Sequence, residues 1–352
     1  MKIAVYAIAL NEEKFIERFC ESAKEADYII IADTGSTDNT KFLAEQAGAT
    51  VHSIAVIPWR FDKARDAALS LVPNDAEACI SLDIDEVLEP GWRQEVEKVW
   101  RRGTTRLKYL YHWGPGVEFH YEKIHHRQGY FWHHPCHEYP KPDPRLTEVW
   151  ATTDALLVRH LPDYTKPRSQ YLELLEMSVK EDPSCPRNAF YYARELTYKL
   201  MWEEAKSALV TFLDHPGATW INERSMAMIL LGKSYYNTGD QFTGLQWLRK
   251  ACAEAPHTRE PWVELAQIAH DHSMWLECYH AITTALAITE KELVYTSDAS
   301  AWGEKPHDLA SIAAWNLGFH DKAYYHCLTA HALAPNNKRI KDNVDLFREN
   351  RD

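Results

Sequence analysis

The sequence predicts two domains. The first is an α/β domain with a mainly parallel, doubly covered sheet over residues 1–165, and the second is an all-α domain of helical repeats over residues 166–352. Two observations support this division. Short β-rich segments alternate with helices of about ten residues in the first part. From about residue 166 the apolar spacing is helical throughout, and it repeats. A chain of 352 residues is long enough for two separate cores.

The first part contains four predicted strands, each followed by a predicted helix. Apolar runs predict the strands, and apolar residues at helical spacing, such as Phe15, Ile16 and Phe19, predict the helices. We expect strands over residues 2–9, 28–32, 50–57 and 78–82, and helices over residues 12–25, 37–47, 61–71 and 91–100. In such sheets, ligands bind beyond the carboxyl ends of the strands.

Residues 111–165 are rich in aromatic residues, histidine and proline. Seven of the 26 residues from His112 to His137 are histidine. The composition predicts strands and loops that fold over the functional edge of the sheet. A zinc site is disfavoured, because these histidines lack a compact ligand spacing with a second cysteine. The candidate ligands for such a site are His125, His126, His133, His134, Cys136 and His137.

The second part repeats a short pattern in which a small residue follows a helix start. The small residues are Ala205, Gly244, Cys278 and Ala323. They are 39, 34 and 45 residues apart, close to the roughly 34-residue period of tetratricopeptide repeats. We therefore expect about four helical hairpins, an insertion at residues 289–305 and a capping helix over residues 338–351. An irregular α-bundle is the alternative.

Composition and charge argue against several functional classes. The net charge is −12 and no basic stripe is present, so binding to nucleic acid is not expected. No apolar run approaches the roughly 20 residues that span a bilayer, so no transmembrane segment is expected. The apolar start Met1–Leu10 lacks a cleavage site and is predicted to be a strand. Seven scattered cysteines predict reduced thiols and a cytoplasmic location.

The stretch Ser81-Leu82-Asp83-Ile84-Asp85-Glu86 follows the fourth predicted strand. Residues two apart in an extended backbone point to the same side, so Asp83 and Asp85 would converge on one divalent cation. Carboxylate oxygens suit Mn²⁺ or Mg²⁺, which stabilise a departing diphosphate. The first two strands also end in polar clusters, Asn11-Glu12-Glu13 and Asp33-Thr34-Gly35-Ser36. An acidic turn that merely ends the strand is the structural alternative.

Five sequence blocks occur in order over roughly the first 140 residues. They are Ala9-Leu10-Asn11-Glu12-Glu13, Ile31-Ala32-Asp33-Thr34-Gly35-Ser36-Thr37-Asp38-Asn39-Thr40, Phe61-Asp62-Lys63-Ala64-Arg65-Asp66-Ala67-Ala68, Ser81-Leu82-Asp83-Ile84-Asp85-Glu86 and Cys136-His137-Glu138. With these blocks the N-terminal half resembles family-2 glycosyltransferases of the GT-A fold. The whole chain resembles the subgroup with a C-terminal tetratricopeptide domain, which includes enzymes that glycosylate peptides or proteins. One departure is Asp66, where the family usually has Asn.

The resemblance implies a metal-dependent, inverting transfer of a sugar from a nucleotide diphosphate sugar, which we expect to be UDP-linked, to a protein, peptide or glycan acceptor. It implies that Asp85 binds Mn²⁺ or Mg²⁺ directly, and that Asp83 contacts the ribose or the metal and its water. In GT-A enzymes a late histidine often supplies a third metal ligand, and His160 is the candidate; a buried core histidine is its alternative. Asp33 would bind the nucleobase or ribose, or else cap a helix.

The remaining candidates also have structural alternatives. Asn11 and Glu12 would line the nucleotide pocket or cap the first helix. Arg65 would hold a phosphate bidentately or fix the two aspartates; alternatively, it would form a surface ion pair with Asp62. Glu138 would be the general base that takes the proton of the acceptor, or would form a salt bridge in a loop. Asp62 and Glu86 are the other candidates for the base.

Two further functions are compatible with parts of the sequence. A tetratricopeptide interaction protein with a catalytically inactive sugar-nucleotide-binding domain would share every helical feature. A nucleotidyltransferase is disfavoured, because residues 7–11 contain neither the glycine nor the lysine of a phosphate loop. In a glycosyltransferase or in such an interaction protein, the repeats would recruit a polypeptide acceptor or a partner, or would form a homodimer.

Overall fold

The computed structural model describes residues 1–163 and 171–349. The chain separates into two compact units, Met1–Glu181 and Asp182–Asp352. Each unit has a hydrophobic core of its own. The domain boundary that the sequence predicts between residues 165 and 166 lies outside the described residues.

The described part of the N-terminal unit combines strands with helices. The strands are β1 (Ile3–Ala9), β2 (Tyr28–Asp33), β3 (Thr50–Ser53), β4 (Ala78–Ser81), β5 (Glu86–Leu88), β6 (Arg106–Gly114), β7 (Val117–His126), β8 (Tyr130–His133), β9 (Tyr139–Pro142) and β10 (Trp150–His160). The helices are α1 (Ile16–Ala23), α2 (Thr40–Gln46), α3 (Phe61–Leu71), α4 (Trp92–Val99) and α5 (Tyr171–Glu181).

Eight of these strands form one sheet in the order β3-β2-β1-β4-β7-β6-β10-β5, and β8 and β9 form a separate hairpin. The pairs among β1 to β4 are parallel, as is the pair of β6 with β10. Strand β7 runs antiparallel to both of its neighbours, and β5 runs antiparallel to β10. The predicted mainly parallel sheet is therefore confirmed.

Strand β1 shows that both faces of the sheet are covered. Ile3, Val5 and Ala7 lie in one core, which includes residues of α1 and α4. The alternate residues Ala4 and Tyr6 lie in a second core, which includes residues of α3. A strand buried on both faces is apolar at every position, which explains the continuous apolar run of β1.

Residues 111–165 differ from the prediction. Strands β6, β7 and β10 lie inside the main sheet instead of folding over its edge. Aromatic residues pack well on a pleated sheet. Leu107, Tyr109 and Tyr111 occupy alternate positions of β6, and all three lie in the main core. Strand β10 contains a bulge, since its register against β6 shifts between Thr152 and Leu157.

The described part of the C-terminal unit is helical. Its helices are α6 (Pro186–Tyr198), α7 (Trp202–Leu213), α8 (Ile221–Asn237), α9 (Gln241–Glu254), α10 (Glu260–Asp271), α11 (Trp275–Ala287), α12 (Lys305–Asn316), α13 (His320–Leu333) and α14 (Lys338–Glu349). Successive pairs from α6–α7 to α12–α13 pack as hairpins, and α14 packs on α13. The predicted tetratricopeptide-like repeat and its capping helix are confirmed. Residues 288–304, between α11 and α12, are the predicted insertion.

The small residues of the repeat lie where the helices of a hairpin cross. Ala205, Cys278 and Ala323 are fully buried. A Cβ atom added at Gly244 would lie 2.9 Å from the backbone oxygen of Gly232, on the facing helix α8. Glycine therefore allows the backbones of α8 and α9 to touch.

We expect Gly244→Val to lower the free energy of unfolding of the C-terminal unit by about 2–3 kcal/mol, because α8 and α9 must separate to admit the side chain. Urea denaturation would measure this loss. Gly303→Ala is the matched control, since the added Cβ would lie 3.7 Å from its nearest neighbour. Equal effects of the two substitutions would show that the close approach at Gly244 is unimportant.

None of the helices within residues 1–163 and 171–349 is both long and apolar enough to cross a membrane. The expected cytoplasmic location stays a prediction.

Candidate active site

The polar clusters that follow β1, β2 and β4 lie side by side at one edge of the sheet. Ala9 at the end of β1 pairs with Asp33 at the end of β2, and β1 also pairs in parallel with β4. The clusters also contact each other directly: the Asn11 amide donates to Ser36 Oγ at 2.9 Å, and the Glu12 amide donates to Thr40 Oγ1 at 2.6 Å. The structure thus brings two of the predicted sequence blocks into contact.

Asp33 has one carboxylate oxygen in use and one without a partner. The side chain is fully buried, and its Oδ1 accepts hydrogen bonds from the amides of Gly35 at 3.1 Å and Ser36 at 3.0 Å. Within the described chain, the buried Oδ2 has no hydrogen-bond partner. A buried polar atom of this kind is costly to leave unpaired. A ligand N–H or hydroxyl group would satisfy it.

Asn11 joins two loops instead of capping the first helix. Its Oδ1 accepts a hydrogen bond from the Thr37 amide at 2.8 Å, and its backbone φ is 55°, which asparagine tolerates better than most residues. Helix α1 begins at Ile16 after Phe15, and no side chain caps it. The capping alternative for Asn11 is therefore wrong, whereas the Glu12 carbonyl accepts from the Phe15 and Ile16 amides at 2.9 and 3.0 Å and begins the first helical turn. The role of both residues in a nucleotide pocket stays a prediction.

The stretch from Asp83 to Glu86 forms a turn and not an extended strand. The Glu86 amide donates to the Asp83 carbonyl at 2.9 Å, so the backbone reverses between the two aspartates. The predicted reason for their convergence, the alternation of an extended strand, is therefore wrong. In the structure the two carboxylates contact different partners.

Asp83 lies between two buried cations. Arg65 contacts its Oδ1, and Lys123 Nζ lies 3.2 Å from its Oδ2. Although burial would raise the pKa of Asp83, the charges of Arg65 and Lys123 hold that pKa well below its usual range. Both oxygens already have cationic partners, so the contacts favour a role in fixing the site over direct metal binding. Its assignment to ribose or metal stays a prediction.

Lys123 was not predicted from the sequence. It lies on β7, is 5% exposed, and also approaches Glu86 at 3.7 Å. The available signal was a single lysine within a strand-like run, between Tyr121 and Ile124. A lysine in such a position needs an acidic partner, although the sequence does not show which one.

Arg65 and Glu138 form a buried pair in the same network. Arg65 is 3% exposed; its Nε contacts the Glu138 carboxylate, and its guanidinium lies 4.9 Å from the ring centre of Trp132. The structural alternative for Arg65, a surface ion pair with Asp62, is wrong, since Asp62 pairs with Arg60. Glu138 and Asp83 share Arg65, so two predicted site residues far apart in sequence lie in one cluster.

The two alternative bases are held by other groups. Asp62 accepts two hydrogen bonds from Arg60, at 3.0 and 2.8 Å. Glu86 accepts from the Tyr111 hydroxyl at 2.7 Å and from the Asp83 amide at 2.9 Å. Burial raises the pKa of Glu86. Glu138 is likewise held, by Arg65, so these contacts do not choose among the three carboxylates, and the role of Glu138 as general base stays a prediction.

Asp85 and His160 form a pair whose atoms suit a divalent cation. His160 Nε2 lies 3.4 Å from Asp85 Oδ2, and its Nδ1–H group donates to the Trp113 carbonyl at 3.2 Å. This second bond orients the imidazole so that Nε2 faces the carboxylate. The Trp113 ring also stacks on His160 at 4.4 Å. A carboxylate oxygen and an imidazole nitrogen facing one point fit Mn²⁺.

His125 belongs to a buried hydrogen-bond chain and not to a zinc site. Trp132 Nε1–H donates to the Tyr6 hydroxyl at 2.9 Å, the Tyr6 hydroxyl donates to His125 Nε2 at 2.8 Å, and His125 Nδ1–H donates to the His126 carbonyl at 2.9 Å. Both ring nitrogens are therefore in use. Burial lowers the pKa of His125 to about 3.

The N-terminal unit should lose stability in mild acid through His125. An unfolded histidine gains its proton near pH 6.5, whereas the folded one stays neutral to about pH 3, so stability falls as the pH drops through this window. Between pH 7.5 and pH 5 we expect the loss to be about 2 kcal/mol larger for the native sequence than for His125→Gln. Urea denaturation at both pH values measures it. Equal losses in both proteins would contradict the buried neutral histidine.

The N-terminal part of the chain is similar in sequence to known glycosyltransferases. Residues 5–149 match the family profile "Glycosyl transferase family 2". An uncharacterized glycosyltransferase of Rickettsia bellii is 35% identical over 100 residues, which is 28% of this chain and 32% of that protein. The chain thus spans about a third of the length of this curated relative.

Solved structures also match, with low TM-scores. A match to a chain of the APC/C hetero-tetramer Cut9–Hcn1 covers 52% of this chain and 34% of the matched chain, at 17% identity and a TM-score of 0.41. A second match is to glucosyl-3-phosphoglycerate synthase from Mycobacterium tuberculosis in complex with Mn²⁺, UDP and glucosyl-3-phosphoglycerate. It covers 33% of this chain and 46% of the matched chain, at 26% identity and a TM-score of 0.27. The fold assignment accordingly rests on the strands and helices described above.

The profile match covers the polar edge from β1 through β4 and continues to Val149. Within it lie Asp33, the turn with Asp85, and the buried pair of Arg65 with Glu138. The N-terminal unit therefore contains, over residues 5–149, a match to glycosyl transferase family 2 that includes these site residues.

Proposed function

We propose that this protein is a metal-dependent, inverting glycosyltransferase that uses a nucleotide diphosphate sugar, with UDP as the nucleotide. The observation that carries the proposal is the pair of Asp85 and His160, at the sheet edge where Asp33 has an unpaired buried oxygen. The pair of Asp85 and His160 suits a cation, and the unpaired oxygen of Asp33 suits a hydrogen-bond donor of a nucleoside. A nucleotide bound through a divalent cation combines both.

Asp85 and His160 would hold the cation, and Mn²⁺ or Mg²⁺ bound there would act as a Lewis acid toward the diphosphate. Arg65 and Lys123 fix the position of Asp83 through both of its oxygens. The Asp83 side chain is 40% exposed, so it can still reach a ligand hydroxyl such as that of ribose. Asp33 Oδ2 would accept a hydrogen bond from the base or the ribose.

Glu138 is our candidate for the group that receives the proton of the acceptor. In an inverting transfer, the acceptor atom forms a bond to the anomeric carbon while the bond to the diphosphate breaks on the opposite side. The proton of the acceptor then moves to the carboxylate. Arg65 holds Glu138 in one orientation and thereby limits where the acceptor can attack.

The helical unit would serve the acceptor side. Repeat arrays of this kind offer long surfaces to polypeptides. A protein, a peptide or a glycan is the acceptor we propose, and we also propose that the repeats form a homodimer.

A panel of nucleotide sugars tests the proposal. We expect release of a nucleotide diphosphate from one donor, dependent on Mn²⁺, and heat of binding when UDP and Mn²⁺ are added together. Absence of both signals would contradict the proposal and favour an interaction protein with an inactive nucleotide domain.

Asp33→Asn should weaken UDP binding by about tenfold, because a charged hydrogen bond is replaced by an amide that presents N–H to the ligand. The new amide oxygen can still accept from Gly35 and Ser36, so the loop is preserved. Isothermal titration calorimetry measures the affinity. Asp75→Asn, on the exposed partner of the Tyr28 hydroxyl, is the matched control and should bind UDP normally. Unchanged affinity in Asp33→Asn would remove Asp33 from the nucleotide site.

A further inference from the structure

Glu86 closes the turn that presents Asp85. Its own amide donates to the Asp83 carbonyl at 2.9 Å, and its Oε2 accepts a hydrogen bond from the Asp83 amide, also at 2.9 Å. The backbone and the side chain of Glu86 therefore both hold the other end of the turn. Because Asp85 lies between these two ends, the direction of its carboxylate depends on both bonds.

The Glu86 carboxylate is itself held by two inner strands of the sheet. Its Oε1 accepts from the Tyr111 hydroxyl of β6 at 2.7 Å, and Lys123 Nζ of β7 lies 3.7 Å from the same oxygen. The side chain is 2% exposed, and burial of a carboxylate is costly unless hydrogen-bond donors and a cation accompany it. Glu86 has both, so the sheet fixes the position of its carboxylate.

Glu86 is also tied to the strand that carries His160. The two residues lie directly opposite each other in the antiparallel pair of β5 and β10. The Leu161 amide donates to the Asp85 carbonyl at 2.7 Å, which joins the turn to the end of β10. The Tyr111 ring also stacks with the imidazole of His160, with ring centres 6.3 Å apart. A displacement of Glu86 would therefore move Asp85 relative to His160.

We propose that Glu86 is a positioning residue for the cation site. Its carboxylate, held by Tyr111 and Lys123, keeps the turn at residues 83–86 closed and thereby keeps Asp85 facing His160. The consequence for cation binding rests on the proposed function, since that function assigns the cation to Asp85 and His160. The closure of the turn is a property of the chain alone and is tested separately.

Two substitutions at this position differ in the hydrogen bonds that they preserve. Glutamine has the same length as glutamate; its oxygen can accept from the Asp83 amide, and its NH₂ group can donate to the Tyr111 hydroxyl. Lys123 keeps Asp83 as a partner at 3.2 Å. Alanine offers no side-chain bond to either group. Glu86→Gln should therefore keep the turn closed, whereas Glu86→Ala should open it.

Amide hydrogen exchange of the full chain, measured by NMR without metal or donor, reports the closure of the turn. The amides at positions 86 and 161 both donate to carbonyls of the turn. We expect them to exchange at least about tenfold faster in Glu86→Ala, and within about twofold of the native rate in Glu86→Gln. Glu89→Ala is the matched control and should exchange as the native chain does. Glu89 follows β5 and pairs with Arg159 of β10, but its side chain is 37% exposed.

Mn²⁺ binding and sugar transfer test the consequence for the site. By calorimetry, Glu86→Ala should bind Mn²⁺ about tenfold more weakly than the native chain, and Glu86→Gln should bind it within about twofold. Glu86→Gln should also keep transfer within about tenfold of the native rate, whereas loss of a general base costs roughly 10²–10⁴-fold. If the native chain binds no Mn²⁺ and transfers no sugar, the proposed function fails, and the exchange rates alone decide the role of Glu86.

Tyr111→Phe guards against misfolding of Glu86→Ala, because it removes only the hydroxyl that holds Oε1 and keeps the buried ring. The amides at positions 86 and 161 should exchange at least about threefold faster in this variant. Tyr28→Phe, which removes a hydroxyl bonded to the exposed carboxylate of Asp75, is its control and should exchange at the native rate. Native exchange rates in both Glu86→Ala and Tyr111→Phe would overturn the proposal. A loss of transfer as complete in Glu86→Gln as in Glu86→Ala would overturn it as well.

Discussion

Asp85→Ala should reduce sugar transfer and donor hydrolysis by about a thousandfold at saturating Mn²⁺. Loss of a metal-binding carboxylate removes several kcal/mol of stabilisation from the departing diphosphate, and roughly 4 kcal/mol corresponds to that factor. The partner His160, held by Trp113, would be left as the remaining protein ligand of the proposed pair. Release of nucleotide diphosphate from the donor is the measurement.

A second measurement separates loss of metal from general damage. Mn²⁺ affinity, measured by calorimetry, should fall in Asp85→Ala, whereas the thermal midpoint should stay near that of the native protein, because Asp85 is partly exposed. Asp83→Ala should keep more of the Mn²⁺ affinity, since its oxygens contact Arg65 and Lys123. Full transfer by Asp85→Ala would exclude the proposed mechanism.

Arg65→Met should lower the free energy of unfolding by about 3–5 kcal/mol. The substitution leaves Glu138, 9% exposed, without its cation, and Asp83 with Lys123 alone. Removing one member of a buried ion pair leaves the other charge without solvation, which is more costly than losing a pair at the surface. Urea denaturation measures the loss.

Arg145→Met is the control for this prediction. Arg145 also pairs with a carboxylate, Asp143, but it is 90% exposed, so its loss should change stability by less than about 1 kcal/mol. Combining Arg65→Met with Glu138→Gln should recover part of the loss, because the stranded charge is then removed as well. Similar effects of the two arginine substitutions would show that burial of the network does not matter.

Local sequence signals predicted some elements closely. Helix α3 spans Phe61–Leu71, as predicted, because Pro73 follows and keeps Val72 extended. Strand β3 is shorter than predicted, since its partner β2 ends at Asp33, which pairs with Ser53. Where a strand ends thus depends on its neighbour, and the local sequence does not contain that information.

The order of the later strands was not predictable for the same reason. Strand β7 lies between β4 and β6, and this position brings Lys123 to Asp83 across 40 residues of sequence. The family blocks indicated Asp33, Arg65, Asp85 and Glu138, whereas the partners of these residues follow from strand pairing. The turn at Asp83 to Glu86 was missed because alternation was assumed beyond the end of β4.

The bulge in β10 determines which residue faces the acidic turn. From Thr152 to Leu157 the strand advances five positions while β6 advances two, from Lys108 to Leu110, so three extra residues are absorbed there. Beyond it the pairing with β5 is regular, and His160 lies opposite Glu86. Changes of length within the bulge can therefore leave the imidazole in place during evolution. A single deletion after it would shift the register by one residue and present a different side chain to Asp85.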